Sequence, residues 1–348
     1  MAKRKIAIID KKGQLRVREE DLPELKKNEI QIKVEASLIS PGTEMGRVIE
    51  RREKAEEDAV EDVFGYSIAG TVVKINGDAK GLETGMRVAA MGTGANHANF
   101  ANVPVNLVVP IPDNVSFTQA PYACLGATSL QAIRRTVPQL GEYGIVLGLG
   151  IVGNFASQLS QLSGARIIGW EGFENRIEIA KKCGIANFAD FKIEDTVEKT
   201  KEFVAPYGTD FAIFAFGGKA GKTFDSVLSC MKVSQDGHQM GRMVLVGGCE
   251  VTFSGGAYTG NIDVRSASRT GAGYHDPEYE YGKEYPDAFV QFTTQRNLRE
   301  VIKLISEKRL LVDPMTTHIM PLEKVNDAAD LLVDTPDQAM GIILEMGG

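Results

Sequence analysis

The sequence predicts an α/β protein in which a doubly wound parallel sheet is joined to a β-rich domain. Three observations predict it. The first hundred or so residues are short β-branched runs cut by Gly, Pro, Asn and Asp. From about residue 118 helix-period and strand-like segments alternate, the pattern of parallel strands covered by helices. The stretch Gly148-Leu149-Gly150-Ile151-Val152-Gly153 lies where one such strand meets one such helix.

In chain order, KIAIID, EIQIKVEAS, SIAGTVVKI and NLVVPIP read as strands. Between about 45 and 63 the charges thicken in MGRVIERREKAEEDAVED, which predicts an exposed helix or loop with a solvated face. TQAPYACLGATSLQAIRRT has helical spacing. GIVLGLG is an apolar strand ending in glycine, and the next segment carries Ile151, Phe155, Leu159 and Leu162 at intervals of four, four and three, one face of a helix. ARIIGWE (strand), ENRIEIAKKCG (helix closed by Gly184), FAIFAFGG (strand), KTFDSVLSCMK (helix) and GRMVLVGG (strand) continue the alternation. A tyrosine-rich polar stretch, GAGYHDPEYEYGKEYPD, then precedes the amphipathic helix NLREVIKLISEKRL, and GIILEM returns to strand text. The closing segment is therefore expected to rejoin the first domain, giving residues 1–124 with 271–348 around an inserted domain at 125–270.

A chain of 348 residues is more than one core usually serves. Hydrophobic residues at 43% and charged ones at 24% are ordinary for a globular protein, so disorder is not expected. The net charge of −7 with no basic stripe argues against nucleic acid or an anionic membrane as partner. The apolar run of MAKRKIAIID lasts only from Ile6 to Ile9, too short for a signal peptide, and a cytoplasmic protein is expected. Cys124, Cys183, Cys230 and Cys249 lie far apart with no CxxC pair, which argues against a disulfide framework and a clustered structural zinc. Cys183, Cys230 and Cys249 read as small buried hydrophobes.

The glycine stretch has a mechanical reading. Gly148 permits a tight turn, Gly150 lets backbone approach a pyrophosphate, and Gly153 lets the helix pack closely on the strand. The helix start at Ile151 and Val152 offers free N–H groups to the phosphates. Glu171 ends the next strand, 23 residues beyond Gly148, where an acid hydrogen-bonds the adenosine ribose hydroxyls. A carboxylate there repels a 2′-phosphate, which favours NAD over NADP. Arg176 is the reservation, because it is placed to swing toward a phosphate. Gly217, Gly247 and Gly248 follow later strands; either they pass close to the ribose and nicotinamide or they serve tight turns alone.

The ordered set IQIKVEASLISPGTE, GYSIAGTVVKI, GMRVAAMG, FANVPVNLVVPIPDNVSFTQAPYACLGATSLQAI, GLGIVG, GRMVLVGG and THIMPLEKVNDAADLL resembles the medium-chain dehydrogenase/reductase superfamily, over nearly the whole chain. The resemblance implies a β-rich, partly barrel-like (GroES-like) catalytic domain split around a Rossmann domain, a nicotinamide cofactor and a homodimer or homotetramer. It also implies that Thr128 lies near the nicotinamide, unless it bonds only its own helix backbone.

Zinc-dependent members of that superfamily hold their metal with a cysteine in the first loop, a histidine in a Gly-His-Glu triplet and a cysteine just before the Rossmann domain. Here those positions read Ser40, Tyr66 within Gly65-Tyr66-Ser67, and Cys124. Serine, tyrosine and one thiol are not a tetrahedral zinc set, so a zinc-free member is expected. Proton transfer at the substrate oxygen then falls to a side chain. Tyr66 takes the place of the metal-binding histidine, either as that proton carrier or as a hydrogen-bonded spacer. His97, in GANHANF, is the other candidate by intrinsic chemistry. Ser40 and Glu44 are expected supports, with Thr43 beside them. The cluster Tyr274, His275, Asp276, Glu278, Tyr279 and Tyr281 suits a sugar or polyol, and suits a lid or subunit contact equally well.

The expectation is thus a zinc-independent oxidoreductase moving hydride between NAD(H) and a secondary alcohol or ketone. The alternatives are an NADPH-dependent quinone or enone reductase and a dinucleotide-binding protein without turnover.

Overall fold

The computed structural model describes residues 3–54 and 60–347. Residues 55–59, part of the charged stretch after residue 45, lie outside the described residues. The chain divides into two compact units, residues 1–127 with 270–348, and residues 128–269. The first cut falls inside the helix Tyr122–Thr136, between Ala127 and Thr128, rather than at 124/125.

The first unit is built around the strand Glu29–Leu38. Ser67–Asn76 pairs along one edge, while Phe100–Pro104 and the late strand Gly341–Glu345 share the other, all antiparallel. Thr316–Pro321, Arg87–Met91 and Val108–Pro110 extend the sheet to seven strands, and Lys3–Ile9 heads a separate three-stranded sheet. Ile30, Ile32, Val34, Val72 and Val103 share one core with Leu322, Val325 and Ile342 from the end of the chain. That shared core is how the closing segment rejoins the opening one. In the charged stretch, Thr43–Glu53 is a helix; its outer face is solvated, but Glu44, Met45 and Val48 are buried.

The second unit carries six parallel strands. Numbered by appearance (Tyr143–Leu147, Arg166–Glu171, Asn187–Asp190, Phe211–Phe214, Gln239–Leu245, Asn261–Ser266), they lie in the order 3-2-1-4-5-6. This is the doubly wound arrangement, with its crevice where the order reverses between the first and fourth strands. Tyr143–Leu147 and Phe211–Phe214 are near-continuous apolar runs because helices cover both faces. Lys232–Val233 adds an antiparallel hairpin arm to Gln239–Leu245. Among the described residues no helix is long and apolar enough to cross a membrane.

Candidate active site

In the second unit the chain leaves Tyr143–Leu147 through Gly148, at φ +82°, and enters the helix Ile151–Leu162. A Cβ on Gly153 would sit 1.7 Å from the Gly148 carbonyl oxygen, so only glycine allows this close approach. A Cβ on Gly150 would meet nothing within 4 Å, leaving open space over the start of the helix. Glycines needed for packing on one side and open on the other fit a bound pyrophosphate. Ile151 is buried, and the Val152 carbonyl accepts from the Ser129 hydroxyl at 2.8 Å.

Glu171 is buried at the end of the adjacent strand. Its Oε1 accepts the N–H groups of Gly172 (2.8 Å) and Phe173 (3.1 Å), and its Oε2 accepts that of Leu149 (2.7 Å). A carboxylate offers about four lone-pair sites. Three are occupied, and the remaining one lies on Oε2. Arg176 Nη1 stands 3.9 Å from that oxygen, and its guanidinium lies over the Phe173 ring, 4.6 Å from the centroid. Lys192 Nζ approaches the same ring at 4.4 Å. A cavity of about 470 Å³ opens here, lined by Gly148, Glu171, Phe173, Arg176, Phe216 and Lys222 among others. Phe173, Lys192, Phe216 and Lys222 carried no motif in the sequence; Lys222 is signalled only by its place at the start of a helix after a glycine turn.

The later glycines have a local reason. Gly218 N–H donates to the Gly248 carbonyl at 3.1 Å, and the two turns are joined by a parallel pair of short strands, Gly218–Lys219 and Cys249–Glu250. A Cβ on Gly247 would sit 2.3 Å from the Phe216 carbonyl, and one on Gly217 would be 3.9 Å from that of Gly248. Thr128 is half-buried on Tyr122–Thr136.

In the first unit, Ser40, Glu44, Tyr66 and His97 are brought into one polar cluster with Cys124. Hydrogen bonds from Ser40 and Thr43 reach the Tyr66 phenol. Burial raises the ionisation of that phenol well above its ordinary 10, the charges of Cys124 and Glu44 add to the rise, and the two hydrogen bonds oppose it. Burial, then the Glu44 charge, likewise pushes the Cys124 thiol up, against a hydrogen bond with Ser67. Ser67 Oγ donates to the Pro121 carbonyl at 2.5 Å. Glu44 Oε2 accepts the Ser40 N–H at 2.6 Å, and Oε1 faces His97 Nε2 at 3.2 Å. His97 Nδ1 lies 2.8 Å from Ser37 Oγ, a partner that the sequence did not suggest.

Serine, phenol and one thiol are a poor donor set for Zn²⁺, which binds thiolate, imidazole and carboxylate. Among the described residues no group of three or more His, Cys, Asp and Glu side chains is placed to hold a metal ion.

The tyrosine-rich stretch spends its polar groups internally. Asp276 caps the short helix Pro277–Glu280 and accepts from the Tyr285 hydroxyl. Tyr281 donates to Glu29 Oε1 at 2.9 Å, Tyr279 is buried, and Glu280 accepts from Thr93 (3.0 Å) and from the His275 N–H (2.8 Å). Tyr274 packs on Gly92, whose added Cβ would lie 2.5 Å from its ring. Glu278 is exposed and pairs with Lys283.

A family profile described as "Zinc-binding dehydrogenase" matches residues 152–281. The chain is 29% identical over 117 residues to an alcohol dehydrogenase of Geobacillus stearothermophilus, covering 33% of this chain and 35% of that protein, so the match spans about a third of that relative's length. It is 25% identical over 286 residues to quinone oxidoreductase 1 of Escherichia coli, covering 81% of each. Alcohol dehydrogenase TADH from Thermus sp. ATN1 superposes with a TM-score of 0.77 at 17% identity, over 98% of this chain and 99% of that one, which shows a shared fold. A sheet ordered 3-2-1-4-5-6 with its glycine turn, a β-rich unit and these matches make the chain similar to the alcohol dehydrogenases and quinone oxidoreductases of the medium-chain dehydrogenase/reductase superfamily.

Proposed function

We propose that this protein is a zinc-independent oxidoreductase that moves hydride between NAD(H) and a secondary alcohol or ketone, with Tyr66 carrying the proton of the substrate oxygen. The observation that carries the proposal is the surroundings of Tyr66: a phenol at the superfamily's metal-histidine position, kept protonated by burial and held by the Ser40 and Thr43 hydroxyls. When bound, the nicotinamide ring supplies or takes up the hydride. In the reductive direction the Tyr66 O–H gives its proton to the carbonyl oxygen, and the resulting phenolate is stabilised by hydrogen bonds from Ser40 and Thr43. The oxidative direction needs that phenolate at the outset, which burial disfavours, so reduction is the direction for which the side chain is prepared near neutral pH.

The free lone pair on Glu171 supports NAD, since it offers an acceptor to a ribose hydroxyl and repulsion to a 2′-phosphate. A second reading, an NADPH-linked quinone or enone reductase, draws on Arg176 and Lys222 in the cavity wall. Fluorescence titration with NADH and NADPH separates the two. A panel of sugar alcohols, cyclitols, secondary alcohols, ketones, quinones and enones, run before and after chelator dialysis, tests the reaction. Reduction of a ketone with NADH, unchanged by the chelator, is the expected result. Preference for NADPH with turnover confined to enones or quinones would replace the first reading with the second, and no turnover at all would leave a dinucleotide-binding protein. A homodimer or homotetramer accompanies the proposal and is checked by light scattering.

A further inference from the structure

The polar chain behind Tyr66 continues past the groups that touch the phenol. Glu44 lies in the first turn of Thr43–Glu53, and its Oε2 takes the Ser40 N–H at 2.6 Å, which closes the turn carrying both Ser40 and Thr43. Its other oxygen, Oε1, has no hydrogen bond of good angle and faces His97 Nε2 at 3.2 Å, an atom equally without one. Both side chains are enclosed, at 3% and 0% exposure, so neither has water as a ready substitute. The far side of the imidazole is fixed by Ser37 Oγ at 2.8 Å. Ser37 sits in the middle of the sheet, opposite Ile68 on one side and Leu344 on the other, and has no freedom to follow the ring. Gly65, at φ +105°, leaves space for His97: a Cβ there would lie 2.3 Å from its backbone nitrogen and 2.6 Å from its Cγ. The imidazole is thus fully buried, with the Gly65 backbone close against one side.

We infer that His97 is a positioning residue that acts through Glu44: anchored by Ser37, it fixes the carboxylate that closes the Ser40–Thr43 turn, and so fixes the two hydroxyls that hold the Tyr66 phenol. The titratable groups gathered around the carboxylate are Tyr66, Cys124 and His97. The inference rests on the proposed role of Tyr66, and its test is chosen to need no substrate.

Protein carrying ¹³Cζ-labelled tyrosine reports the hydrogen bonding of each phenol, and Tyr66→Phe identifies the Tyr66 resonance by its loss. Gln places an amide nitrogen near the position of imidazole Nε2, and Asn places one near Nδ1. His97→Gln therefore keeps the link to Glu44 and gives up Ser37, while His97→Asn does the reverse. The Tyr66 resonance moves in His97→Asn and in Glu44→Gln, moves less in His97→Gln, which loses only the anchor, and does not move further in the double variant His97→Asn/Glu44→Gln than in Glu44→Gln alone. The ¹³Cζ resonances of Tyr279, Tyr281 and Tyr285, in the same unit, stay in place and certify its fold. An unmoved resonance in His97→Asn, or equal displacement by Asn and Gln, overturns the inference. Should His97→Asn not fold, an unmoved resonance in Glu44→Gln overturns it instead. Full turnover in Tyr66→Phe would remove the proposed function while leaving these displacements intact, so the two failures are distinct.

Discussion

Glu171 Oε2 accepts the Leu149 N–H at 2.7 Å, so the acid ending one strand ties down the glycine turn that ends its neighbour. The carboxylate thereby braces the turn and keeps one lone pair that no N–H takes, the one the proposed NAD role would use.

Replacing it exposes the first role. Glu171→Ala leaves three N–H groups without their acceptor, at about 1–3 kcal/mol for each that stays buried. The expected outcome is roughly 3 kcal/mol of lost stability in urea denaturation, together with weakened NADH binding. An unchanged urea midpoint would show that the turn does not depend on this carboxylate.

The glycines separate packing from ligand space. Gly153→Ala places its Cβ against the Gly148 carbonyl, so both the melting temperature and NADH affinity fall. Gly150→Ala adds a methyl where the protein has nothing within 4 Å, so the melting temperature holds and only NADH affinity falls. Equal melting temperatures for the two variants would contradict this assignment.

Tyr66→Phe removes one oxygen from a cluster whose packing it leaves in place. Turnover is expected to drop by about 10²-fold or more, the usual worth of a positioned proton carrier, while NADH affinity is retained. Because the phenol is protonated well past pH 10, the reductive rate of the unaltered protein should show no alkaline limb from Tyr66 below that pH. An unaffected rate in the variant would sink the role given to Tyr66.

Alkaline conditions should destabilise the second unit through its thiols. Burial pushes Cys183 and Cys230 each up to about 11, from an ordinary value near 9. Their contribution is complete below about pH 9, where both folded and unfolded chains keep the protons. It is lost as pH rises toward about 11, because the unfolded chain releases those protons first, at roughly 1.4 kcal/mol per pH unit per thiol. Melting temperatures compared at about pH 8 and about pH 10.5 should fall less in Cys183→Ala/Cys230→Ala than in the unaltered chain, whatever the baseline cost of the two cavities. Parallel falls would mean that the thiols are not the cause.

The glycine turn was legible because its demands are local: Gly148 and Gly153 answer a backbone and a packing need within six residues, and Gly150 leaves open space between them. The strand Asn261–Ser266 was not legible because only Ile262 and Val264 are apolar and none of its residues is buried. Asn187–Asp190 is only four residues long. The hairpin arm Lys232–Val233 is shorter still, too little text to carry a period. The tyrosine-rich stretch read as suiting a sugar or polyol, or a lid or subunit contact; within the fold, Tyr281 meets Glu29 and Tyr279 stacks with Tyr285.

The sequence by itself determined the α/β class and the glycine turn with its acid 23 residues on, since each is a matter of residue type at short or familiar spacing. Only the tertiary structure decided that His97 looks inward to Ser37 and Glu44, and that Glu171 spends three of its four lone pairs on backbone. Ser37 and His97 are sixty residues apart and meet through strand pairing and a glycine-lined turn. A buried polar atom takes whichever partner the fold delivers, because leaving it unpaired costs more than almost any local preference.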